Sequence, residues 1–365
     1  MTIETLIGFD SAWTDKNPGA ISMITHNQGK LVDFMPPRLV RFEEATEMVQ
    51  RAASASDFTL IALDQPTLVP SFEGMRPVER VVGSVVNAIG GGVQPANRSR
   101  ESMFGQGAPV WQFLDRVGAR ENPTAAREAS HGLFLIEVFP ALALASIIPT
   151  IWHRRRAAKY NPGQRKTFVH ADWGLVTDGI ASLAQQWGVQ PIMTAANELG
   201  KLQSPTKSDQ DKLDALICLM IAWTWRFRPR EDSMLIGDSI SGYIVTPVSG
   251  DTRPILVKSA LRRSVPVDSL WGDDGLRTIN QLSTNLFKSS VAAAARRQPG
   301  PSALQNTDQV STHKICPECG KVFTGKGWGG IDEHWRVHHD DIMPYNLAWP
   351  IIKKGGRPSM QKNRT

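Results

Sequence analysis

The segment of residues 204–223, SPTKSDQDKLDALICLMIAW, is the feature that most restricts the fold of this chain. Its apolar residues recur at helical spacing and predict a long, largely buried helix. Asp211 and Asp214 lie three residues apart, so they share one face near the start of that helix. Carboxylates on a buried helix are costly unless they are paired or bind a metal. The fold must therefore bring partners to these two side chains.

Composition describes a large globular chain with a mild basic bias. With 365 residues, 41% of them hydrophobic, it is long enough for two domains. A net charge of +6 and a pI of about 9.3 weakly favour a polyanionic partner such as nucleic acid. Three cysteines exclude a disulfide framework. The N-terminal residues lack a signal-peptide pattern, and no apolar run approaches the ~20 residues of a membrane span. We expect a cytoplasmic protein without membrane contact.

Hydrophobic patterning predicts an α/β domain. Apolar runs bounded by turn residues predict strands at residues 5–10, 17–25, 30–34, 58–66, 133–139 and 237–247. Helical spacing predicts helices at residues 42–53, 77–89, 140–149 and 173–188. The first three strands follow one another through short turns, which favours an antiparallel meander. The fourth is apolar throughout, as is typical of a buried central strand.

Acidic residues end two of these strands. Asp10 ends the first strand and Asp64 ends the fourth. Strand ends in an open sheet share one edge, and a helix can present Asp211 and Asp214 to that edge. Four carboxylates gathered there could hold two divalent cations about 3.5–4 Å apart, the arrangement that cleaves phosphodiesters. Oxygen ligands of this kind suit Mg²⁺ or Mn²⁺.

Each acid also has a purely structural explanation. Asp10 and Asp64 could be turn residues. Ser208-x-x-Asp211 fits a capping box, and Asp214 could pair with a lysine. Glu137 lies in an apolar strand and is either a fifth catalytic acid or the partner of a buried arginine such as Arg76. These alternatives stay open on the sequence alone.

A basic segment precedes the last helices of the domain. It contains Arg154, Arg155, Arg156, Lys159, Arg165 and Lys166. Such a run can bind the phosphate backbone of DNA or RNA, with Lys159 and Arg165 as candidates for the scissile phosphate. Taken alone, such a run is more often a solvated surface.

Several motifs carry a family resemblance. They are IGFDSAW, ALDQPTLVP followed by Arg76, IEVFPALAL, KYNPGQRK, DKLDALICLMIAW and GYIVTP, in this order. Across residues 4–250 the chain resembles the predicted RNase H-like nucleases long described as a domain of unknown function. The resemblance implies a mixed five-stranded sheet with an antiparallel first half and helices on both faces. The acid order is similar to RuvC-type resolvases and implies Asp10, Asp64, Asp211 and Asp214 as metal ligands. Asp64 departs from the glutamate of that pattern and is one methylene shorter.

A second metal motif follows near the end of the chain. Cys316-x2-Cys319-x14-His334-x3-His338 has the ligand spacing of a structural zinc site, with Phe323 and Ile331 as its small core. His339 could replace His338, since both spacings bind zinc. The segment resembles a two-cysteine, two-histidine zinc finger. Asp332 and Glu333 disfavour strong guanine readout, so the finger could recruit nucleic acid or bind a protein.

The sequence thus predicts four regions: an RNase H-like nuclease domain at 1–250, a linker at 251–312, a zinc finger at 313–345 and a basic tail at 346–365. Our leading hypothesis is a metal-dependent nuclease with two Mg²⁺ or Mn²⁺ ions. One rival is a non-catalytic nucleic-acid-binding or scaffolding protein on the same fold. Another is a small-molecule phosphotransferase, which is disfavoured because residues 214–245 lack paired glycines.

Overall fold

The computed structural model describes residues 2–269, 313–324, 345–353 and 356–360, together with residues 331, 334, 335, 339, 342 and 343. These belong to two compact units, an N-terminal unit that contains residues 2–269 and a C-terminal unit that contains the others. Among the described residues, no helix is both long and apolar enough to cross a membrane.

A mixed five-stranded sheet forms the centre of the N-terminal unit. Its strands are β1 (Ile3–Asp10), β2 (Gly19–Asn27), β3 (Lys30–Val40), β4 (Phe58–Leu63) and β5 (Gly132–Glu137). They lie in the order β3-β2-β1-β4-β5. The first three strands pair antiparallel, while β1, β4 and β5 run parallel. The predicted mixed sheet with an antiparallel first half is therefore confirmed.

Helices cover both faces of this sheet. They are α1 (Phe42–Ala55), α2 (Pro77–Val86), α3 (Glu101–Phe104), α4 (Pro109–Val117), α5 (Pro123–Glu128), α6 (Pro140–Ile147), α7 (Pro149–His153), α8 (His170–Gln186), α9 (Gln190–Gly200), α10 (Lys207–Phe227) and α11 (Thr252–Arg262), with 3-10 turns at Asn87–Ile89 and Arg230–Asp232. Side chains of β1 alternate between two apolar clusters, because successive strand residues point to opposite faces. Leu6 belongs to the cluster that contains residues of α2, α6, α8 and α10, whereas Ile7 belongs to the cluster that contains residues of α1 and α4.

A glycine in β1 lets α10 approach the sheet closely. A Cβ on Gly8 would lie 2.2 Å from the backbone oxygen of Ala215 and 2.4 Å from the backbone nitrogen of Leu219. Real side chains do not tolerate such distances, so this packing requires glycine. The contact brings the start of α10 towards the end of β1, where Asp10 lies.

The N-terminus of α10 is capped by Thr206. Its hydroxyl accepts a hydrogen bond from the Asp209 backbone, and the Asp209 side chain bonds back to the Thr206 backbone. This capping box begins two residues before the one that the sequence suggested. The capping role considered for Asp211 is therefore wrong, and Asp211 lies in the second turn of the helix.

Two elements near residue 250 differ from the sequence-based expectation. The single strand predicted at 237–247 is a hairpin of β6 (Ser233–Asp238) and β7 (Gly242–Pro247). Helix α11 occupies part of the predicted linker and packs on α2, with Leu256 and Ala260 buried. The average composition of this stretch is polar, so it gives no sign of the apolar face of α11. The rest of that linker, residues 270–312, lies outside the described residues.

The C-terminal unit contains a short hairpin and a helix. The hairpin consists of β8 (His313–Ile315) and β9 (Val322–Thr324), the helix is α12 (Tyr345–Lys353), and a 3-10 turn follows at Pro358–Met360. Ala348 and Ile352 of α12 are buried against Cys316, Ile331 and Trp335, and Phe323 packs on the same core. The predicted core residues are thus in place. Part of the predicted basic tail is a helix packed on this unit.

Candidate functional site

The four aspartates identified in the sequence line one cavity of about 820 Å³. Asp10 is the last residue of β1, and Asp64 directly follows β4. The Asp64 backbone nitrogen donates a hydrogen bond to the carbonyl of Phe9 at 2.9 Å, so the two chain segments leave the sheet side by side. Asp211 and Asp214 enter the cavity from the second turn of α10.

Burial and mutual repulsion disfavour the ionised forms of Asp10, Asp64 and Asp214. Burial, followed by repulsion from Asp214, Asp64 and Asp211, raises the pKa of Asp10 well above its usual value. Burial and repulsion from Asp214 likewise raise the pKa of Asp64. Burial raises the pKa of Asp214 to about 7. A bound cation would relieve this repulsion, because it favours the charged carboxylates.

Hydrogen bonds hold Asp214 in the cavity wall. The Tyr160 hydroxyl donates to Asp214 Oδ1 at 2.7 Å, and the Gln210 amide donates to Oδ2. The lysine that pairs with an acid here is Lys207, and its partner is Asp211 rather than Asp214. Gln210 Oε1 is buried with no hydrogen-bond partner within residues 2–269. Carboxylate and amide oxygens form the donor set of a hard divalent cation, so these residues fit Mg²⁺ or Mn²⁺.

Glu137 has a different environment from the four aspartates. Its two carboxylate oxygens accept hydrogen bonds from Arg76 at 2.9 Å and 2.6 Å, and Oε2 also accepts from the Thr67 backbone. The structure thus matches the second alternative drawn from the sequence, the partner of a buried arginine. Arg76 also bonds Glu79 at 2.8 Å, which completes a buried triad beside the cavity. A catalytic role for Glu137 stays a prediction.

Negative charge predominates in the cavity. Within residues 2–269, six carboxylate side chains and three cationic side chains line it: Asp10, Asp64, Glu79, Glu137, Asp211 and Asp214 against Arg76, Lys159 and Lys207. An anionic substrate would be repelled by such a wall. Cations bound between the acids would reduce this repulsion.

Comparison with known proteins identifies the family. The family model described as "Protein of unknown function (DUF429)" matches residues 9–236, more than half of the chain. The chain belongs to this family. The matched range includes all four aspartates and Glu137. No curated protein and no solved structure has a significant match to the chain.

The predicted phosphate-binding residues fall into four environments. Arg154 and Arg156 both bond the buried carboxylate of Asp172, at 3.0 Å and 2.9 Å. Arg155 stacks over Trp152 at 4.3 Å. Lys159 lines the cavity, whereas Arg165 and Lys166 are exposed and lie outside its lining. The segment is therefore partly a structural clamp, because Asp172 also accepts a hydrogen bond from the Lys159 backbone next to Tyr160.

Sequence reasoning missed three residues that touch the aspartates. Tyr160 lies within the basic segment, and its contact with Asp214 spans 54 positions, so no local pattern signals it. Local spacing offered a signal for the other two. Gln210 and Lys207 each precede their acid by four residues, which places them on the same helix face.

A second group of metal-ligand side chains lies in the C-terminal unit. One ligand atom from each of Cys316, Cys319, His334 and His339 lies within 4.8 Å of the others, so the group could bind a zinc ion. His339 was the alternative fourth ligand in the sequence. His338 lies outside the described residues.

We expect zinc to hold the C-terminal unit together. Its core is too small to fold without a metal, so Cys319→Ser and His339→Asn should each remove the bound zinc and expose the unit to protease. Metal analysis and limited proteolysis measure both effects. Cys218→Ala, at a buried cysteine of α10, is the control and should leave the zinc content at one ion per chain. Full zinc content in both ligand variants would contradict the assignment.

Proposed function

We propose that this protein is a metal-dependent nuclease that cleaves nucleic-acid phosphodiesters through two Mg²⁺ or Mn²⁺ ions. The observation that carries the proposal is the convergence of Asp10, Asp64, Asp211 and Asp214 in one cavity. Three separate parts of the chain supply these acids, and their burial raises the pKa of Asp10, Asp64 and Asp214. An arrangement so unfavourable without cations is typical of functional sites.

The sheet topology supports an RNase H-like assignment. The sheet has five strands, is mixed and has an antiparallel first half, as the family resemblance implies. In such a sheet the ends of β1 and β4 lie next to each other, and a late helix packs on them. The acids of the proposed site occupy these three places.

The residues of the site would have different roles in cleavage. Asp10, Asp64 and Asp214 would hold the cations, and Asp211 would complete the ligand set or orient water. Bound there, the two ions would activate a water molecule and neutralise the leaving oxygen. Tyr160 and Gln210 orient Asp214 through their hydrogen bonds. Lys207 and Lys159 lie at the cavity and would contact substrate phosphates.

The C-terminal unit would recruit the substrate or a partner. Its cysteine and histidine spacing resembles that of a zinc finger, with a central spacer about two residues longer than the usual twelve. We include in this proposal the nucleic-acid or protein partner that the sequence suggested. A protein partner would be detected as binding that persists in nuclease-inactive variants.

Cleavage assays test the proposal. The full chain should cleave labelled DNA or RNA with Mn²⁺ or Mg²⁺ and lose this activity with EDTA. Asp10→Asn should lower the rate at least about 100-fold, since even residues that only support a metal ligand contribute about 10–100-fold. Asp33→Asn, at an exposed acid of β3, is the matched control and should cleave at the parental rate.

Two outcomes would reject the nuclease. Equal cleavage by the parent and Asp10→Asn would show that the activity does not come from this site. Binding of nucleic acid without any cleavage by the parent would favour the non-catalytic rival.

A further inference from the structure

Trp13 has a backbone conformation that tryptophan rarely adopts. Its φ is +60°, in the left-handed region, and it follows Asp10 by only three residues. A bulky side chain in this region is strained, and such strain persists where the surroundings impose it. Strained residues cluster at functional sites, so the position of this side chain requires an explanation.

Two contacts fix the indole at the cavity wall. Its Nε1 donates a hydrogen bond to the backbone oxygen of Asp64 at 2.8 Å, and its ring meets Phe104 edge to face at 5.6 Å. The ring is half-buried and lines the same cavity as the aspartates. An aromatic side chain is thus bonded directly to the segment that carries a proposed metal ligand.

The other walls suit a nucleobase. Phe139, Asn161 and Gln164 line the cavity together with Trp13. An aromatic ring offers an apolar face, and amides offer both donors and acceptors to the edge of a base. Asn161 is already oriented, since its Oδ1 accepts a hydrogen bond from the Gly163 backbone at 2.9 Å.

The size of the cavity restricts the substrate. A volume of about 820 Å³ lies within the range of pockets that enclose a small molecule. Such a space is large enough for roughly one or two nucleotides. An unpaired nucleotide could occupy this space with its phosphate near the aspartates, which line the same cavity.

We propose that Trp13 is a stacking platform for an unpaired nucleobase, and that the substrate class is single-stranded nucleic acid. The idea rests on the proposed nuclease function and specifies its substrate. A base on Trp13 places its adjoining phosphate beside Asp10 and Asp64. Stacking of this kind tolerates any base, so recognition depends on strandedness rather than sequence.

Fluorescence anisotropy tests the proposal. It measures the binding of a fluorescein-labelled 12-nucleotide strand to the full chain, with Ca²⁺ in place of Mg²⁺. We expect the single strand to bind at least 10-fold more tightly than the same sequence as a duplex. Trp13→Leu should weaken strand binding about 10-fold, whereas Trp13→Phe should retain most of the affinity. Trp111→Leu is the matched control, because Trp111 belongs to the same apolar cluster and also bonds a backbone carbonyl but does not line the cavity.

A second measurement leaves the protein unchanged. Strands carrying one abasic site, moved along the sequence, should show one position where the loss of the base weakens binding about 10-fold. Equal affinity for strand and duplex, or parental affinity in Trp13→Leu, would overturn the stacking proposal while cleavage by the parent still supported the nuclease. Conversely, Trp13-dependent strand binding without cleavage in Mg²⁺ or Mn²⁺ would retain this site and reject the nuclease.

Discussion

Replacing Arg76 with methionine is expected to lower the free energy of unfolding of the N-terminal unit by about 3–5 kcal/mol. The guanidinium is 1% exposed and bonds Glu79 through Nε and both oxygens of Glu137 through its two terminal nitrogens. Removing it leaves two buried carboxylates without their cation, which is the costly way to break a buried ion pair. Thermal denaturation measures the effect as a fall in Tm of roughly 6–20 °C.

The Arg76 variant should also acquire a characteristic pH dependence. Burial raises the pKa of Glu79 and Glu137, and Arg76 opposes that rise in both. Without Arg76 the folded protein retains protons that the unfolded chain has released, so the stability of Arg76→Met should fall as pH rises from about 5 to 8. The difference in the free energy of unfolding between the parent and Arg76→Met should therefore be largest near pH 8.

Two further variants separate the ion pair from general packing. Arg116→Met removes an exposed arginine that lies 3.8 Å from Glu43 and should change stability by less than about 0.5 kcal/mol. In the double variant Arg76→Met with Glu137→Met, one uncompensated charge is gone, and part of the lost stability should return. A loss below about 1 kcal/mol in Arg76→Met alone would contradict the role given to the triad.

The sheet was predictable because each of its strands has a local signature. Continuous apolar residues and turn residues between them located all five strands and the antiparallel first half. The four aspartates could be selected for the same reason, since strand ends and i, i+3 helix positions are local features. Both the strands and the acids at their ends can therefore be predicted from local sequence patterns.

Contacts between distant segments could not be predicted in this way. No residue near Gly8 in the sequence predicts that the α10 backbone lies against it. The hydroxyl of Tyr160 reaches Asp214 across 54 positions, and the backbone next to Tyr160 bonds a third distant residue, Asp172. The choice between two roles for Glu137 likewise depended on where Arg76 lies in space, not on its distance along the chain.

Asp214→Asn is expected to stabilise the metal-free protein at pH 8 by roughly 1–4 kcal/mol, although it removes a proposed metal ligand. Burial raises the pKa of Asp214 to about 7, while an unfolded aspartate titrates near 3.8. Between these values the folded state binds more protons than the unfolded state, so the parent loses stability as pH rises from about 4 to 7. One pKa unit corresponds to about 1.4 kcal/mol, which sets the upper limit of the effect.

Asparagine escapes this cost because it does not titrate, and its Oδ1 can still accept the hydrogen bond from Tyr160. The advantage of Asp214→Asn should be negligible near pH 4 and complete near pH 8. Urea unfolding at several pH values, in the presence of EDTA, measures it. Asp33→Asn, at an exposed acid, should show no such trend.

Divalent cations should reverse the order of stability. A ligand that binds only the folded state stabilises it by RT ln(1 + [L]/Kd), so Mn²⁺ should raise the Tm of the parent at pH 8 and have little effect on Asp214→Asn. The parent should respond less to Mn²⁺ at pH 6, where protons compete for the carboxylates. If Asp214→Asn were instead less stable than the parent in EDTA at pH 8, Tyr160, Gln210 and nearby Lys207 would already compensate the charge of Asp214. In that case the protein would need no cation there, and the metal site would lose its physical basis.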